Sequence, residues 1–309
     1  MKKTLFSLLL VFTVLGTSAQ NLPIIDVHLH SWDVVVPFAP PIYPIDLSEL
    51  PDAKIKDISE LLPMTVKEMK ENNVVLGIVT WNDLEEIYKW KEYVPGMFLT
   101  GVLFWDPLQP DIEFIRNEIK EGRLDIIGEI ATQYNGFAPN DPRLEKFYSL
   151  AEELDVPVLI HCGGLAGQNE FFNIKDGNPL LLEEVLKRHP NLRIYIENAA
   201  YPFAQEIVAL MYRYPNVYAD LSTVSWIIPR KAFHSYLEYL MDADLGRRLM
   251  FGSDQMIWPE TIGMAIEAIE SASFLSEEQK RDIFYNNAAK FLRLTDEVIK
   301  EHHERISSR

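Results

Sequence analysis

The chain is poor in cysteine and in positive charge, and both shortages restrict what it can be. Cys162 is the only cysteine among 309 residues, so no intramolecular disulfide can form. Lysine and arginine total 29 against 46 aspartates and glutamates, which gives a formal net charge of −17. A protein this acidic repels nucleic acid and anionic membranes, so we expect its partner to be a small molecule. The sequence leaves open whether the chain is a monomer or a homo-oligomer.

The first 19 residues have the pattern of a secretory signal peptide. Lys2 and Lys3 precede an apolar run from Leu5 to Leu15, and Ala19 is a small residue at the expected cleavage position. The run is too short to span a membrane, and no stop-transfer segment follows it. The sequence therefore predicts a signal peptide over 1–19 and a mature chain of residues 20–309, exported to the periplasm or the extracellular space.

No low-complexity segment or Gly/Ser-rich linker divides the rest of the chain. Instead, short apolar runs rich in β-branched residues alternate eight times with longer amphipathic runs. The predicted strands are Pro23–His30, Val74–Thr80, Met97–Trp105, Leu124–Thr132, Val156–Gly163, Leu192–Ala199, Val217–Thr223 and Arg248–Asp254. The predicted helices are Pro63–Glu71, Asp83–Tyr93, Asp111–Glu121, Pro142–Leu154, Pro179–Arg188, Pro202–Tyr214, Arg230–Met241, Pro259–Ser271 and, closing the chain, about Ser276–Leu292.

This alternation predicts an α/β fold with a parallel sheet and right-handed crossovers. Eight regular units favour a single-domain (β/α)8 TIM barrel over an open doubly wound sheet, and no Gly-rich phosphate loop follows the first strand. Two long connections, Ser31–Leu62 and Gly164–Asn178, follow strands, so we expect them at the C-terminal mouth of the barrel, where substrates bind.

The end of the first strand carries two histidines two residues apart, in Asp26-Val27-His28-Leu29-His30. Alternation in a strand puts Asp26, His28 and His30 on one face and the apolar residues on the other. In a barrel that face points inward, and two imidazoles near the mouth can bind one ion. A pair of hydrogen-bonded histidines is the alternative interpretation.

Three other strand ends favour the metal interpretation. Glu129, His161 and Asp254 each stand at the end of an apolar strand, where a buried acid or imidazole must be paired, hydrogen-bonded or metal-bound. Nitrogen and oxygen donors of this kind suit Zn²⁺, Mn²⁺ or Fe²⁺. The sequence therefore predicts a divalent-metal site at the barrel mouth, with zinc as the first expectation.

Several motifs together resemble the amidohydrolase superfamily, and more narrowly the amidohydrolase-2 group of metal-dependent hydrolases and decarboxylases. The motifs are the DVHLH start, the IHCG and FGSD strand ends and the closing segment from Tyr285 to Leu292, and the likeness spans Pro23 to Leu294. The resemblance implies that His28, His30, His161 and Asp254 supply metal ligands and the catalytic aspartate. It also implies that Glu129 stands where relatives with two ions place a bridging acid.

The sixth strand departs from the family pattern, which has a histidine where this chain has Asn198. An amide can orient a substrate or water but cannot accept a proton. Glu197 beside it could act as a base only if the strand slipped by one residue, because neighbours face opposite ways. We therefore expect a second metal site to be empty or weak.

The leading prediction is a metal-dependent hydrolase of a small amide, ester or lactone, with Asp254 moving the proton and Asn198 orienting the carbonyl. A non-oxidative decarboxylase and a catalytically silent exported binding protein are the alternatives. Decarboxylation usually requires a cationic clamp, for which only Arg230 is an evident candidate. The predicted substrate-binding residues, each in a segment that follows a strand, are Arg230, Trp258, Gln255 and Asn135.

Overall fold

The computed structural model describes residues 22–33, 55–165 and 170–307. The predicted signal peptide and parts of both long connections, 34–54 and 166–169, lie outside these residues. None of the described helices is long and apolar enough to cross a membrane.

Eight parallel strands form one sheet in consecutive order, as the alternating pattern predicts. The strands are β1 Ile24–His30, β2 Val74–Trp81, β3 Phe98–Phe104, β4 Ile126–Ile130, β5 Val158–Ile160, β6 Ile194–Ile196, β7 Val217–Asp220 and β8 Leu249–Met250. Two backbone hydrogen bonds bring the last strand segment to the first, from Val27 N to Phe251 O at 3.0 Å and from Asp254 N to His28 O at 2.8 Å. The single-domain TIM barrel predicted from the sequence is confirmed.

Helices surround the barrel and follow the strands in alternation. They are α1 Leu61–Glu71, α2 Leu84–Tyr93, α3 Ile112–Lys120, α4 Glu145–Leu154, α5 Glu183–Arg188, α6 Ala204–Arg213, α7 Val224–Ile227, α8 Arg230–Asp242, α9 Thr261–Glu270, α10 Glu277–Arg281, α11 Asn287–Phe291 and α12 Asp296–Ser307. Aspartate side chains cap the N-termini of α2 and α3, where the sequence predicts that these helices begin. Asp83 accepts a hydrogen bond from Glu85 N, and Asp111 accepts one from Phe114 N.

Two apolar clusters hold these layers together. The larger lies between the sheet and the helices and includes Cys162, which is buried as an apolar side chain. The smaller draws side chains from every strand, such as Ile25, Leu159 and Tyr195, and so fills the barrel interior. Residues of α11 and α12 join this inner cluster, and the C-terminal segment therefore closes the end of the barrel away from the mouth.

The charged segment after Leu294 forms the last helix, α12, and His302 on it is only 2% exposed. Nδ1 of His302 lies 2.9 Å from the Tyr285 hydroxyl. His302 and Ile306 are four residues apart and therefore lie on one face of α12, which is buried against the barrel. The other face keeps the charged residues in water.

Candidate metal centre

The two histidines of β1 converge at the mouth through an irregular strand end. The pairing of β1 with β2 shifts register between Asp26 and Leu29. Val27 belongs to the inner cluster, and its carbonyl accepts a hydrogen bond from the Tyr195 hydroxyl at 3.1 Å. The simple alternation expected from the sequence therefore does not hold across this segment. Asp26 accepts from its neighbours' backbone N–H groups, from His28 at 3.1 Å and from Ser253 at 2.9 Å.

Each of these imidazoles is held at Nδ1 and presents Nε2 to the site. His28 Nδ1 lies 3.2 Å from Oδ2 of Asp220, and His30 Nδ1 lies 3.2 Å from the carbonyl oxygen of Thr80. Both partners can accept, so Nδ1 carries a hydrogen and, in the neutral ring, Nε2 keeps its lone pair. The two Nε2 atoms lie 3.2 Å apart. Two facing lone pairs are the arrangement that a shared cation stabilises.

Two carboxylates complete this group of donors. Oδ1 of Asp254 lies 3.1 Å from His30 Nε2, and Oε2 of Glu129 lies 3.6 Å from His28 Nε2 and 3.5 Å from His30 Nε2. Oδ2 of Asp254 accepts a hydrogen bond from the Thr223 hydroxyl, whereas Oδ1 is buried without hydrogen-bond geometry to any described group.

These separations fit a divalent metal. Tetrahedral bonds of ~2.0–2.2 Å give ligand–ligand edges of roughly 3.3–3.6 Å, and octahedral bonds of ~2.1 Å give edges of roughly 3.0 Å. The observed spacings of 3.1–3.6 Å span this range. His28, His30 and Asp254 thus form a cluster that could hold a metal ion, with Glu129 beside it.

His161 lies on the other side of Glu129. Its Nδ1 atom is 3.4 Å from Oε1 of Glu129 and 2.7 Å from Oε2 of Glu197, while its Nε2 atom is 3.1 Å from the carbonyl oxygen of Leu165. The structure therefore separates the predicted ligands into two neighbouring groups, and Glu129 faces both.

The sixth strand directs Glu197 into the site, which overturns the expectation that Asn198 faces inward and Glu197 faces outward. Tyr195 belongs to the inner cluster, so Glu197 two residues later also faces inward. The strand ends at Ile196, and Asn198 adopts the left-handed conformation with φ of 55°. Asn198 is buried as well, where its amide donates to Glu197 Oε1 at 3.0 Å and accepts from the Ser222 hydroxyl at 3.2 Å.

Negative charge dominates the electrostatics of the site. Burial alone would lower the pKa of His28, but the charges of Glu197 and Asp254 raise it well above its ordinary value. In the same way, burial opposes but the charge of Glu197 raises the pKa of His161 to about 10. Burial and the charge of Glu129 raise the pKa of Glu197 to about 8. The site therefore attracts positive charge, as protons or as metal.

The four predicted substrate-binding residues have different surroundings. Gln255 is buried, and its amide accepts from His30 N at 2.9 Å and donates to His30 O at 2.7 Å, so it braces β1. Arg230 is bonded to Glu267 and Ser271 on the helical layer. The remaining two are Trp258, buried with its ring 6.5 Å from that of Trp226, and Asn135, exposed and bonded to the Trp105 carbonyl.

Aromatic rings that we did not predict lie beside the histidines. The Trp81 ring centroid is 6.1 Å from that of His30, and Trp32 stacks on Trp81 at 5.1 Å. Tyr134 contacts the ring of His161 edge-on at 4.9 Å. The available signal was an aromatic residue at or just beyond a predicted strand end. Asp220 was also missed, although an acid closing an apolar strand is the signal that identified Glu129.

A family model described as amidohydrolase matches residues 25–294. Protein fluG of Emericella nidulans is 24% identical over 156 residues, which cover 46% of this chain but only 18% of that protein.

Two solved structures resemble the fold at low sequence identity. A probable 2-pyrone-4,6-dicarboxylic acid hydrolase from Acinetobacter baumannii has a TM-score of 0.65 and 14% identity, covering 88% of this chain and 100% of that one. A 5-carboxyvanillate decarboxylase from Novosphingobium aromaticivorans, complexed with manganese, has a TM-score of 0.61 and 13% identity, covering 89% and 97%.

Proposed function

Because the chain belongs to the amidohydrolase family, we propose that it is a metal-dependent hydrolase that cleaves a small ester, lactone or amide. One observation carries the proposal. Nε2 of His30 lies 3.1–3.5 Å from donor atoms of Asp254, His28 and Glu129, all of them buried at the barrel mouth. Zinc is the ion we propose first, and manganese or iron would suit the same nitrogen and oxygen donors.

The residues divide the work of hydrolysis between them. A divalent cation held by His28, His30, Asp254 and Glu129 would supply a bound water with a pKa lowered towards ~7 and a positive charge for the scissile carbonyl. Asp254 takes the proton from the attacking water and returns it to the leaving group. The Thr223 hydroxyl fixes Oδ2 of Asp254 and so orients this carboxylate. Asn198 acts as a positioning residue, since its amide is bonded to Glu197 and Ser222.

The surroundings favour a substrate with a flat apolar face. Trp81 and Tyr134 flank His30 and His161, and an aromatic wall binds planar groups through stacking and edge contacts. The probable pyrone dicarboxylate hydrolase among the structural neighbours supports a lactone in this role.

Non-oxidative decarboxylation is the second candidate. The aromatic wall and the carboxyvanillate decarboxylase neighbour favour it. Against it, the guanidinium of Arg230 is bonded to Glu267 and Ser271 and is not directed at the donor cluster, so hydrolysis remains our first proposal. A catalytically silent binding protein is the third candidate, and it would bind metal without turning over any substrate.

Activity before and after chelation separates these candidates. The purified protein is assayed for metal content and for turnover on a panel of esters, lactones, amides and aromatic carboxylic acids. Asp254→Asn should lower kcat/KM on the hydrolysed substrate by ~10²–10⁴-fold, the usual contribution of a general acid–base group. Asp111→Asn is the matched control, because Asn also caps a helix such as α3. Carbon dioxide release without ester or lactone cleavage would reject hydrolysis.

We also propose that residues 1–19 direct export to the periplasm or beyond and that the mature protein acts on a small molecule. The supporting pattern is the charged, apolar and small-residue order of this segment. N-terminal sequencing of the protein recovered from the periplasmic fraction or the medium should begin at Gln20. Recovery of the uncleaved chain in the cytoplasm would contradict export.

A further inference from the structure

The carboxylate of Asp220 presents a different set of partners to each of its oxygens. Asp220 is the last residue of β7 and is 0% exposed. Its Oδ2 atom lies 3.2 Å from Nδ1 of His28 on β1. Its Oδ1 atom accepts hydrogen bonds from the backbone N–H of Asn198, at 2.9 Å, and from the backbone N–H and the hydroxyl of Ser222, at 3.1 Å and 2.6 Å. One buried acid therefore connects the end of the first strand to the ends of the sixth and the seventh.

The two backbone N–H groups determine what each oxygen can do. A backbone N–H only donates, so the atom in the Oδ1 position has to be an acceptor. Oδ2 is the atom left for the imidazole of His28, and it accepts the hydrogen of Nδ1. In the neutral ring the lone pair is then on Nε2, the atom that lies 3.2 Å from Nε2 of His30. The tautomer of His28 thus follows from the backbone that ends strands six and seven.

Close packing keeps the His28 ring and residue 220 facing each other. Gly252, just beyond β8, lies against His28, Asp220 and Ser222. A Cβ atom at position 252 would lie 3.0 Å from Cβ of His28, 3.3 Å from that of Ser222 and 3.4 Å from that of Asp220. Contacts this short leave little room for the buried ring to turn away from its partner.

We propose that Asp220 is a positioning residue of the metal site: through Oδ2 it fixes the His28 tautomer that leaves the Nε2 lone pair for the cation. The proposal rests on the metal-dependent site of the proposed function, in which His28 is a ligand. It makes the acceptor character of Oδ2 decisive, whereas a structural role would depend on the size and shape of the side chain.

Replacement of Asp220 by asparagine separates these two roles. In Asp220→Asn the amide oxygen has to occupy the Oδ1 position, because the N–H groups of Asn198 and Ser222 require an acceptor there. The NH₂ group then takes the Oδ2 position and donates to Nδ1 of His28. The neutral ring carries its hydrogen on Nε2 instead, and Nε2 has no lone pair left for a metal ion.

Metal affinity tests the proposal. The full protein is stripped with a chelator and titrated with Zn²⁺ alone. Asp220→Ala should weaken binding by ~10–100-fold, the usual effect of losing a group that orients a metal ligand. Asp220→Asn should weaken it by at least ~100-fold, because a metal-bound His28 would leave two buried donors facing each other. A structural role predicts the opposite order, since alanine leaves a cavity and asparagine does not.

Glu152→Gln is the matched control. Oε2 of Glu152 lies 2.9 Å from Nδ1 of His189, between α4 and α5 and away from the barrel mouth. The same change from carboxylate to amide beside an imidazole should leave Zn²⁺ affinity unchanged there.

The position of the ring hydrogen gives a readout that does not depend on metal affinity. Nitrogen-15 NMR at alkaline pH locates the hydrogen of a neutral imidazole, and the His28 signals are identified by their absence from His28→Gln. The hydrogen should lie on Nδ1 in wild type and on Nε2 in Asp220→Asn.

Other outcomes overturn the proposal. Zn²⁺ binding by Asp220→Asn that is at least as tight as that by Asp220→Ala rejects it, and so does a hydrogen that stays on Nδ1 in Asp220→Asn. If Asp220→Ala does not fold, the position of the hydrogen decides. The expected order of affinities without turnover of any substrate would reject the proposed function alone. Hydrolysis by wild type, with wild-type Zn²⁺ affinity in Asp220→Asn, would reject this inference alone.

Discussion

Gln255 offers a sharp test because sequence and structure assign it different roles. The sequence predicts a substrate contact, whereas its amide bonds both backbone groups of His30, at 2.9 Å and 2.7 Å. Replacement by leucine keeps the size of the side chain and removes both hydrogen bonds. The backbone N–H and C=O of His30 are then left unpaired in a buried site.

The cost follows from these two bonds. A buried hydrogen bond contributes about 1 kcal/mol, and each group left unpaired adds about 1–3 kcal/mol when no water replaces the partner. We therefore expect Gln255→Leu to lower the free energy of unfolding by about 2–4 kcal/mol. Because His30 directs Nε2 at the proposed metal site, loss of its brace should also weaken metal binding by ~10–100-fold.

Urea unfolding of the metal-free protein and Mn²⁺ titration measure the two effects separately. Gln279→Leu is the matched control, since Gln279 bonds the backbone in an exposed capping box at the start of α10 and should cost about 1 kcal/mol with no change in metal affinity. Unchanged stability and metal affinity in Gln255→Leu, together with a raised KM, would refute this reasoning and restore the substrate contact.

Three further predictions address the metal site and the base of the barrel. Replacing both His28 and His30 with alanine should remove the metal and leave the circular dichroism spectrum barrel-like; retained metal would refute the site. Asn198→His should raise neither metal occupancy nor kcat/KM, because Glu197 and not Asn198 is the strand-six side chain that faces His161; a gain in either would contradict this. Burial, and then the charge of Arg305, lower the pKa of His302 from 6.5 to about 4. The neutral His302 ring therefore contributes its full stabilisation above pH 6.5. This contribution is lost as the pH falls towards 4, because the unfolded chain takes up the proton first. Calorimetry should show a free energy of unfolding that is about 1–3 kcal/mol lower at pH 4 than at pH 7.5, and the difference should be smaller in His302→Gln.

The architecture could be predicted because its signals are local. Each apolar strand and each amphipathic helix is encoded within about ten residues, and eight repeats in alternation leave few topologies. The helix starts at Asp83 and Asp111 were identified for the same reason, since a cap depends only on its own first turn. The same locality explains the prediction of His28 and His30, which needed only a strand and its direction.

The contribution of Glu197 was missed because the inner face of strand six was assigned to Asn198, although Tyr195 faces the barrel interior and alternation from it places Glu197 inward. Alternation was extended to Ala199, yet β6 ends at Ile196, and the residues from Asn198 to Ala200 all have positive φ. Asparagine tolerates that conformation, but two alanines give no warning of it. The backbone N–H of Asn198 donates to Oδ1 of Asp220 at 2.9 Å, a contact 22 residues away in sequence that stabilises the turn. A single sequence does not reveal such a bond.

His30 and Asp254 lie at the ends of the first and last strands. The site is therefore at the seam of the barrel, where these two strands meet. The last strand has only two residues, and two backbone hydrogen bonds join its segment to β1. Side chains reinforce the seam, since Gln255 bonds both backbone groups of His30 and Asp26 accepts from Ser253 N. Asp254 and His30 stand on opposite sides of it, 3.1 Å apart. A metal bound between them would link the first strand to the last, so that ligand geometry and barrel closure would depend on the same contacts.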